Sequence, residues 1–343
     1  ITPAIAGSAT TGPGKGKSAS DAGGGKFGIA FSGSASAHRV TDVTKAYVRD
    51  ALVTQSGGLL IDAHEQTRIV AVGGSAALSL NAKGAAGIAG AVTVNLVDNT
   101  THAFIENSTL DNIGDLHVTA EASGGITSVA AGLAGATKGA GVAGSVAINT
   151  LDSDTSARIA AGSEITGAGL VDVDATDTTR ITTVAGAIAF GGKGSFGLSV
   201  SVNTIDTQAG AYVTDSDLAA TGDVTIAAET GARLFGVTAA IGASKGTMAA
   251  AGAVSVNVVD TDTTAYLSGS KTLGLTSDGG VSLMATDRSE IFSIAGAVGA
   301  STGAASFGGA VSTNNVTSTT AAVIDASALV SALGHVSATA DST

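Results

Sequence analysis

The chain repeats itself about every 54 residues, and a fixed period of that length constrains the fold more than any single residue does. Asn95, Asn149, Asn203 and Asn257 close the phrases "AVTVN", "SVAIN", "SVSVN" and "AVSVN" at equal intervals. Looser copies flank them at slightly longer intervals: Asn314 in "AVSTN" and His38 in "SASAH". Eight residues after each of these positions comes an Ala-X-aliphatic triplet, as in "AYV" from Ala211 and "AYL" from Ala265. Self-similarity at a fixed period is the mark of a stacked, quasi-one-dimensional architecture. The whole chain, 1–343, therefore reads as one array, with approximate repeats at 26–83, 84–138, 139–193, 194–245, 246–302 and 303–343. Residues 1–25 form a partial repeat with an enlarged Gly/Lys/Ser loop.

Each repeat reads as strands and turns. In the copy from Arg180 to Glu229, "FGLSVSVN" alternates strictly, with Leu198, Val200 and Val202 on one face and Ser199, Ser201 and Asn203 on the other. Alternation bounded by Gly, Asp, Ser and Asn is the strand signal. Helical repeats are excluded, because Gly recurs inside the apolar segments and each costs about 1 kcal/mol relative to Ala in a helix. With no Trp and 3% aromatic residues, the core has to be filled by Val, Ile, Leu and Ala in thin repeated layers. The fold class is all-β, a repetitive β-solenoid. A parallel β-helix is favoured, with about three coils of about 18 residues per repeat and equivalent Asn and Val side chains stacked along the axis. The alternative is a stack of antiparallel hairpins closed by tips such as Gly192-Lys193-Gly194. Asn95, Asn149, Asn203, Asn257 and Asn314 are expected at equivalent structural positions, their amides bonded to backbone or to one another. The Gly, Ala and Ser faces of segments such as "AGAIAFGGKGSFGLSVSV" allow another sheet or chain to approach closely.

The charge balance narrows the partners. A net charge of −12 disfavours nucleic acid and anionic lipid, both of which are bound through excess Lys and Arg. The absence of Cys excludes a disulfide framework, a thiolate nucleophile and a Cys-ligated metal. Residues 291–324 carry no charge and are long enough to span a bilayer. Earlier copies of that stretch contain Lys83, Lys138, Lys193 and Lys245, so a buried strand is expected there and not a membrane-inserted segment. No signal peptide is visible before Ala22, and the chain reads as an internal or processed piece of something longer.

No motif gathers chemistry. "GPGKGKS" from Gly12 to Ser18 lacks the first Gly of a phosphate loop, since position 11 is Thr11, and it reads as an enlarged Lys-Gly turn. The acid pairs Asp152/Asp154, Asp172/Asp174, Asp215/Asp217 and Asp260/Asp262 read as solvated acids, chiefly of turns, with stacked Ca²⁺ sites as the alternative. His38, His64, His102, His117 and His335 fall in different repeats without metal-ligand spacing. No catalytic, cofactor-binding or metal residue is assigned, and no enzyme activity is expected.

The phrase "AGAVSVNVVDTDTTAYL" from Ala251 to Leu267, with "GGVSLMA" from Gly279 and their counterparts elsewhere, resembles the large repetitive exoproteins of Gram-negative bacteria. These are the filamentous-haemagglutinin-like and leukotoxin-type filamentous adhesins. The resemblance covers nearly all of the chain from Lys26 onward. It implies a secreted β-helical stalk or fibre, exported through an outer-membrane pore to the cell surface. Its expected partners are other copies of itself or a cell-surface or host glycan or protein. Two other readings stay open: a carbohydrate-active β-helix enzyme, and a secreted cytolysin module of the leukotoxin type.

Overall fold

The computed structural model describes residues 2–10, 28–54, 57–80, 85–269, 273–275, 279–325, 330–332 and 334–343. Every regular element among them is a β-strand, and all pairing is parallel. In chain order these are β1 (Thr2–Thr10), β2 (Gly28–Arg49), β3 (Leu52–Thr54), β4 (Gly58–Ser79), β5 (Ala85–Glu106), β6 (Thr109–Asp111) and β7 (Asp115–Ala136). Then follow β8 (Ala140–Ala160), β9 (Glu164–Ala168), β10 (Val171–Gly191), β11 (Gly194–Thr214), β12 (Asp217–Ala220), β13 (Val224–Ser244) and β14 (Met248–Ser268). The last are β15 (Leu273–Leu275), β16 (Val281–Asp287), β17 (Glu290–Ser301), β18 (Ala305–Ile324), β19 (Val330–Ser331) and β20 (Val336–Ser342).

Three sheets run along the solenoid. The A sheet stacks β1, β4, β7, β10 and β13, then β16 and β17 side by side on β13, with β20 on β16. The B sheet stacks β2, β5, β8, β11, β14 and β18, and the short C sheet stacks β3, β6, β9, β12, β15 and β19. One coil is thus a long B strand, a short C strand and a long A strand.

This corrects the expected coil count. Asn203 pairs directly with Asn257 and Asn149, so successive repeats are hydrogen-bonded neighbours and one repeat is one coil. Three is the number of strands in a coil. The long strands of 21 or 22 residues consume most of each repeat, which a coil with short sides could not do. The hairpin alternative fails as well. At the Gly192-Lys193-Gly194 tip, β10 and β11 turn back on each other but pair only with strands of the coils above and below.

The cross-section is a wedge, and residue size explains its taper. At the wide end the C sheet holds A and B apart around Ile105, Leu110, Leu116, Ile165, Leu218 and Ile226. Further in, a single row of Ile, Leu and Val fills the gap, including Ile181 and Leu234 from A against Leu151 and Ile205 from B. Beyond that the buried apolar residues are all Ala, as in Ala130, Ala147 and Ala185, set among buried Asn, Ser and Thr. At the thin edge glycine is required: a Cβ on Gly132 would lie 2.4 Å from the Gly144 carbonyl oxygen across the gap, and one on Gly242 2.3 Å from that of Ala250. The corner from B to C turns through a left-handed residue after each of β2, β5, β8, β11 and β14: Asp50, Asn107, Ala161, Asp215 and Gly269, with φ between 47° and 62°.

The side chains of the thin half are inverted. Ser199, Ser201 and Asn203 point inward and are fully buried, whereas Phe196 and Leu198 on the same strand are 46% and 40% exposed. The expected Val/Ile/Leu/Ala core holds at the wide end and in the middle row. Near the edge, the gap between the sheets excludes large side chains and turns them outward.

Candidate functional site

The five asparagines lie at equivalent places in register on the B sheet and form one ladder. The amide nitrogen of Asn95 donates to the Oδ1 of Asn149 at 2.7 Å. Asn149 donates to Asn203, Asn203 to Asn257 and Asn257 to Asn314, each at 2.8 Å. From the A sheet the Thr183 hydroxyl donates to the Asn203 Oδ1 at 2.6 Å and accepts from the Asn149 amide at 2.7 Å. Hydroxyl pairs extend this zipper toward the edge, Ser145 with Ser199 at 2.8 Å and Ser201 with Thr238 at 2.6 Å. In a space too narrow for aliphatic side chains, small polar groups that bond one another fill it, and the Asn95 Oδ1 at the first rung is the amide atom of the ladder left buried without a partner. His38 begins the row in register with Asn95, its ring nitrogen 2.7 Å from the Ser36 hydroxyl.

A second inward row carries acids: Glu65, Ala122, Asp177, Thr230 and Asp287 are successive neighbours on the A sheet. Asp177 Oδ2 accepts from Ser153 at 2.6 Å and Thr155 at 2.8 Å, while its Oδ1 is buried without a partner. Burial pushes its carboxyl up to about 7, against the lowering effect of those two hydroxyls. Glu65 is raised for the same reason, with its Thr67 hydrogen bond opposing. Asp287 accepts from Thr261 at 2.8 Å and from Thr230 at 3.1 Å. The sequence reading did not single out these three acids. The available signal was parity, because Asp177 shares its face with Val173, Ala175 and Ile181.

The acid pairs singled out from the sequence lie elsewhere. Apart from Asp215/Asp217 at a corner, they sit in strands, pointing outward. Asp98, Asp152, Asp206 and Asp260 form one exposed row on the B sheet. Asp152 and Asp206 are raised by partial burial first and by their neighbours' charge second. Four of the five histidines are dispersed over the surface or its rim. His64 is 3.4 Å from Glu121, His102 is 3.3 Å from Asp154 and His117 is 3.5 Å from Asp172. The His102 hydrogen bond lowers Asp154 against the effect of its burial. Near the wide end of B, Tyr47 and Phe104 stack at 4.9 Å with Arg49 and Arg158 over the rings. Glu106 bridges the two arginines at 2.6 and 2.8 Å; burial raises its carboxyl, but the two guanidiniums outweigh it and hold it low. Among the described residues, no three His, Asp or Glu side chains are grouped to hold a metal. "GPGKGKS" from Gly12 to Ser18 lies outside the described residues.

What the coils do assemble is surface. Residues 126–151, 181–205 and 234–259 each contain a single charge, Lys138, Lys193 and Lys245. All three lysines are exposed at the thin edge. On either side of that edge the outward positions are apolar: Val184, Ile188 and Phe190 on A, Phe196, Leu198 and Val200 on B, and their counterparts in other coils. A shallow groove of about 360 Å³ on the A face runs past Val72, Leu133 and Ile188.

Comparison with known proteins finds no matching family, no matching characterised protein and no matching solved structure.

Proposed function

We propose that this chain is a structural and adhesive segment of an extracellular rod or fibre on a Gram-negative cell surface. It contacts other copies of itself or a surface through its repeated outer faces. The observation that carries this reading is the register: equivalent side chains recur on the outer faces at every coil, so any contact one coil makes is multiplied along the axis. Parallel strands stacked about 4.8 Å apart spread that multiplied contact over a flat, extended area.

Two assays test it together. Beads coated with the protein are expected to be retained on bacterial, host-cell or glycan surfaces above beads coated with a globular protein of equal charge. Negative-stain electron microscopy is expected to show rods associated with one another. Unassociated rods with no retention on any of these surfaces would overturn the reading. Cleavage of acidic polysaccharide that is lost on replacing one carboxylate would favour the enzyme instead.

A further inference from the structure

The apolar outer face of the B sheet has the dimensions, relief and charge pattern of a self-complementary interface. Its outward rows run from the thin edge as Phe196, Leu198, Val200, Val202, Thr204 and Asp206 in the central coil. Ten residues at about 3.3 Å by six strands about 4.8 Å apart make roughly 800 Å², the area one partner contributes to an ordinary stable interface.

The relief is specific. The Leu198 row is otherwise glycine, with Gly33, Gly90, Gly144, Gly252 and Gly309 in the other coils. A Cβ on Gly90 or Gly309 would meet nothing within 4 Å, so this row is an open groove. Leu198 leans over Gly252. Two rows away is a ridge of Val94, Ile148, Val202 and Val256. The row between them holds Val92, Val146, Val200, Val254 and Val311.

We infer that two copies of this chain pack B face to B face about a two-fold axis parallel to the solenoid, running along the Val200 row. That operation lays the ridge of each copy along the row Gly90, Gly144, Leu198 and Gly252 of the other, so that Val94 and Ile148 enter the groove at Gly90 and Gly144 while Val202 meets Leu198, the one large side chain in that row. It also sets Asp206 of each copy opposite Gly194 of the other, beside the edge lysine Lys193. The row Asp98, Asp152, Asp206 and Asp260 then faces the edge row Lys138, Lys193 and Lys245. Isologous contact of this kind closes on itself, and complementary potentials fix its register. The A face lacks this complementarity. The row equally distant from its edge holds Arg68, Arg180 and Arg233, so the same packing there would oppose Lys to Arg. A lipid surface would match the apolar band but leave the aspartate row unpartnered.

The inference rests on the self-assembly half of the proposed function, and its test separates the two. Because the chain has no Cys, Val200→Cys introduces a single thiol on the two-fold axis. Treated with a bismaleimide that spans about 10 Å, the spacing of packed sheets and beyond the reach of a direct disulfide, it is expected to give covalent dimers, while Val184→Cys on the A face stays monomeric. In sedimentation velocity the wild type is expected to dimerise with concentration. Gly144→Leu, which adds a second large side chain to that row beside Leu198 at an outward position, is expected to weaken the dimer about tenfold or more with an unchanged circular dichroism spectrum. Asp206→Lys is expected to weaken the dimer several-fold, and adding Lys193→Asp to restore it. A wild type that stays monomeric, with no Val200→Cys cross-link, would overturn the inference. End-to-end rods whose Val200→Cys gives no cross-link would overturn it while leaving the proposed function standing. Binding of a monomeric chain to neutral phosphatidylcholine vesicles, lost in Val200→Asp, would overturn it in favour of lipid.

Discussion

Replacing Asp177 by Asn tests the buried acid row through its pH dependence. The carboxyl lies between the sheets, holds two hydroxyl donors on one oxygen and none on the other, and is raised from 3.8 to about 7 by burial. The folded chain therefore binds this proton more tightly than the unfolded chain does. Its stabilising contribution is complete below pH 3.8 and is lost as pH rises toward 7, beyond which the loss is constant. At about 1.4 kcal/mol for each tenfold change in proton affinity, the full span is roughly 4 kcal/mol. Asn has nearly the same shape and never ionises, so Asp177→Asn is expected to be close to neutral at about pH 4 and more stable than wild type by roughly 4 kcal/mol at about pH 8. Urea unfolding midpoints of both proteins across that range supply the difference curve. Asp152, Asp174 and Asp206 titrate in both proteins and cancel, and Glu65, whose charge adds to the rise at Asp177, cancels in part. A flat difference curve, or one that rises toward acid, would refute the assignment of a buried, proton-holding carboxyl.

Other residues give sharper local tests. Asn203→Ala removes one donated and two accepted hydrogen bonds and is expected to lower stability by about 3 kcal/mol, against under about 1 kcal/mol for the exposed end residue Asn314→Ala, both read by denaturant midpoint. Ala161 is the one corner residue of its row with neither a polar side chain nor a glycine's freedom. Ala161→Asn is expected to raise stability by about 1 kcal/mol, read the same way. Gly132→Ala places a methyl group against the Gly144 carbonyl and is expected to cost about 1–3 kcal/mol, whereas Gly186→Ala, outward with nothing within 4 Å, is expected to be neutral or slightly stabilising.

Period and alternation made the stack and its strands legible, because both are properties of the chain that survive any choice of partner strand. The equivalence of Asn95 through Asn314 followed from spacing alone. Alternation does not say which face is inside. In "FGLSVSVN" hydrophobicity nominates Leu198, Val200 and Val202 for the core, yet the glycines of the facing segments bring the sheets too close for them. The coil count was hidden for a related reason. Small residues on both strands let two long sides face each other directly, a cross-section that strand length alone does not announce. Asp177 was legible only once its strand's parity was fixed, since an acid at an inward position reads in isolation like any other surface carboxylate. The in-register Asp and Lys rows needed the one-coil stacking before they became rows at all.

The central claim is that each repeat is a single coil, and a spin-label distance tests it directly. Leu96 and Asn315 are outward positions on β5 and β18, separated by four coils on one row. In the Cys-free chain, Leu96→Cys with Asn315→Cys carries labels at those two sites only. Parallel strands about 4.8 Å apart set the two backbones about 19 Å apart, a distance that double electron–electron resonance resolves with a few ångströms added by the labels. Three coils per repeat would set them about 58 Å apart. A narrow distribution at the shorter distance is the result expected, and a distribution centred at the longer one would contradict the architecture on which every row described above depends.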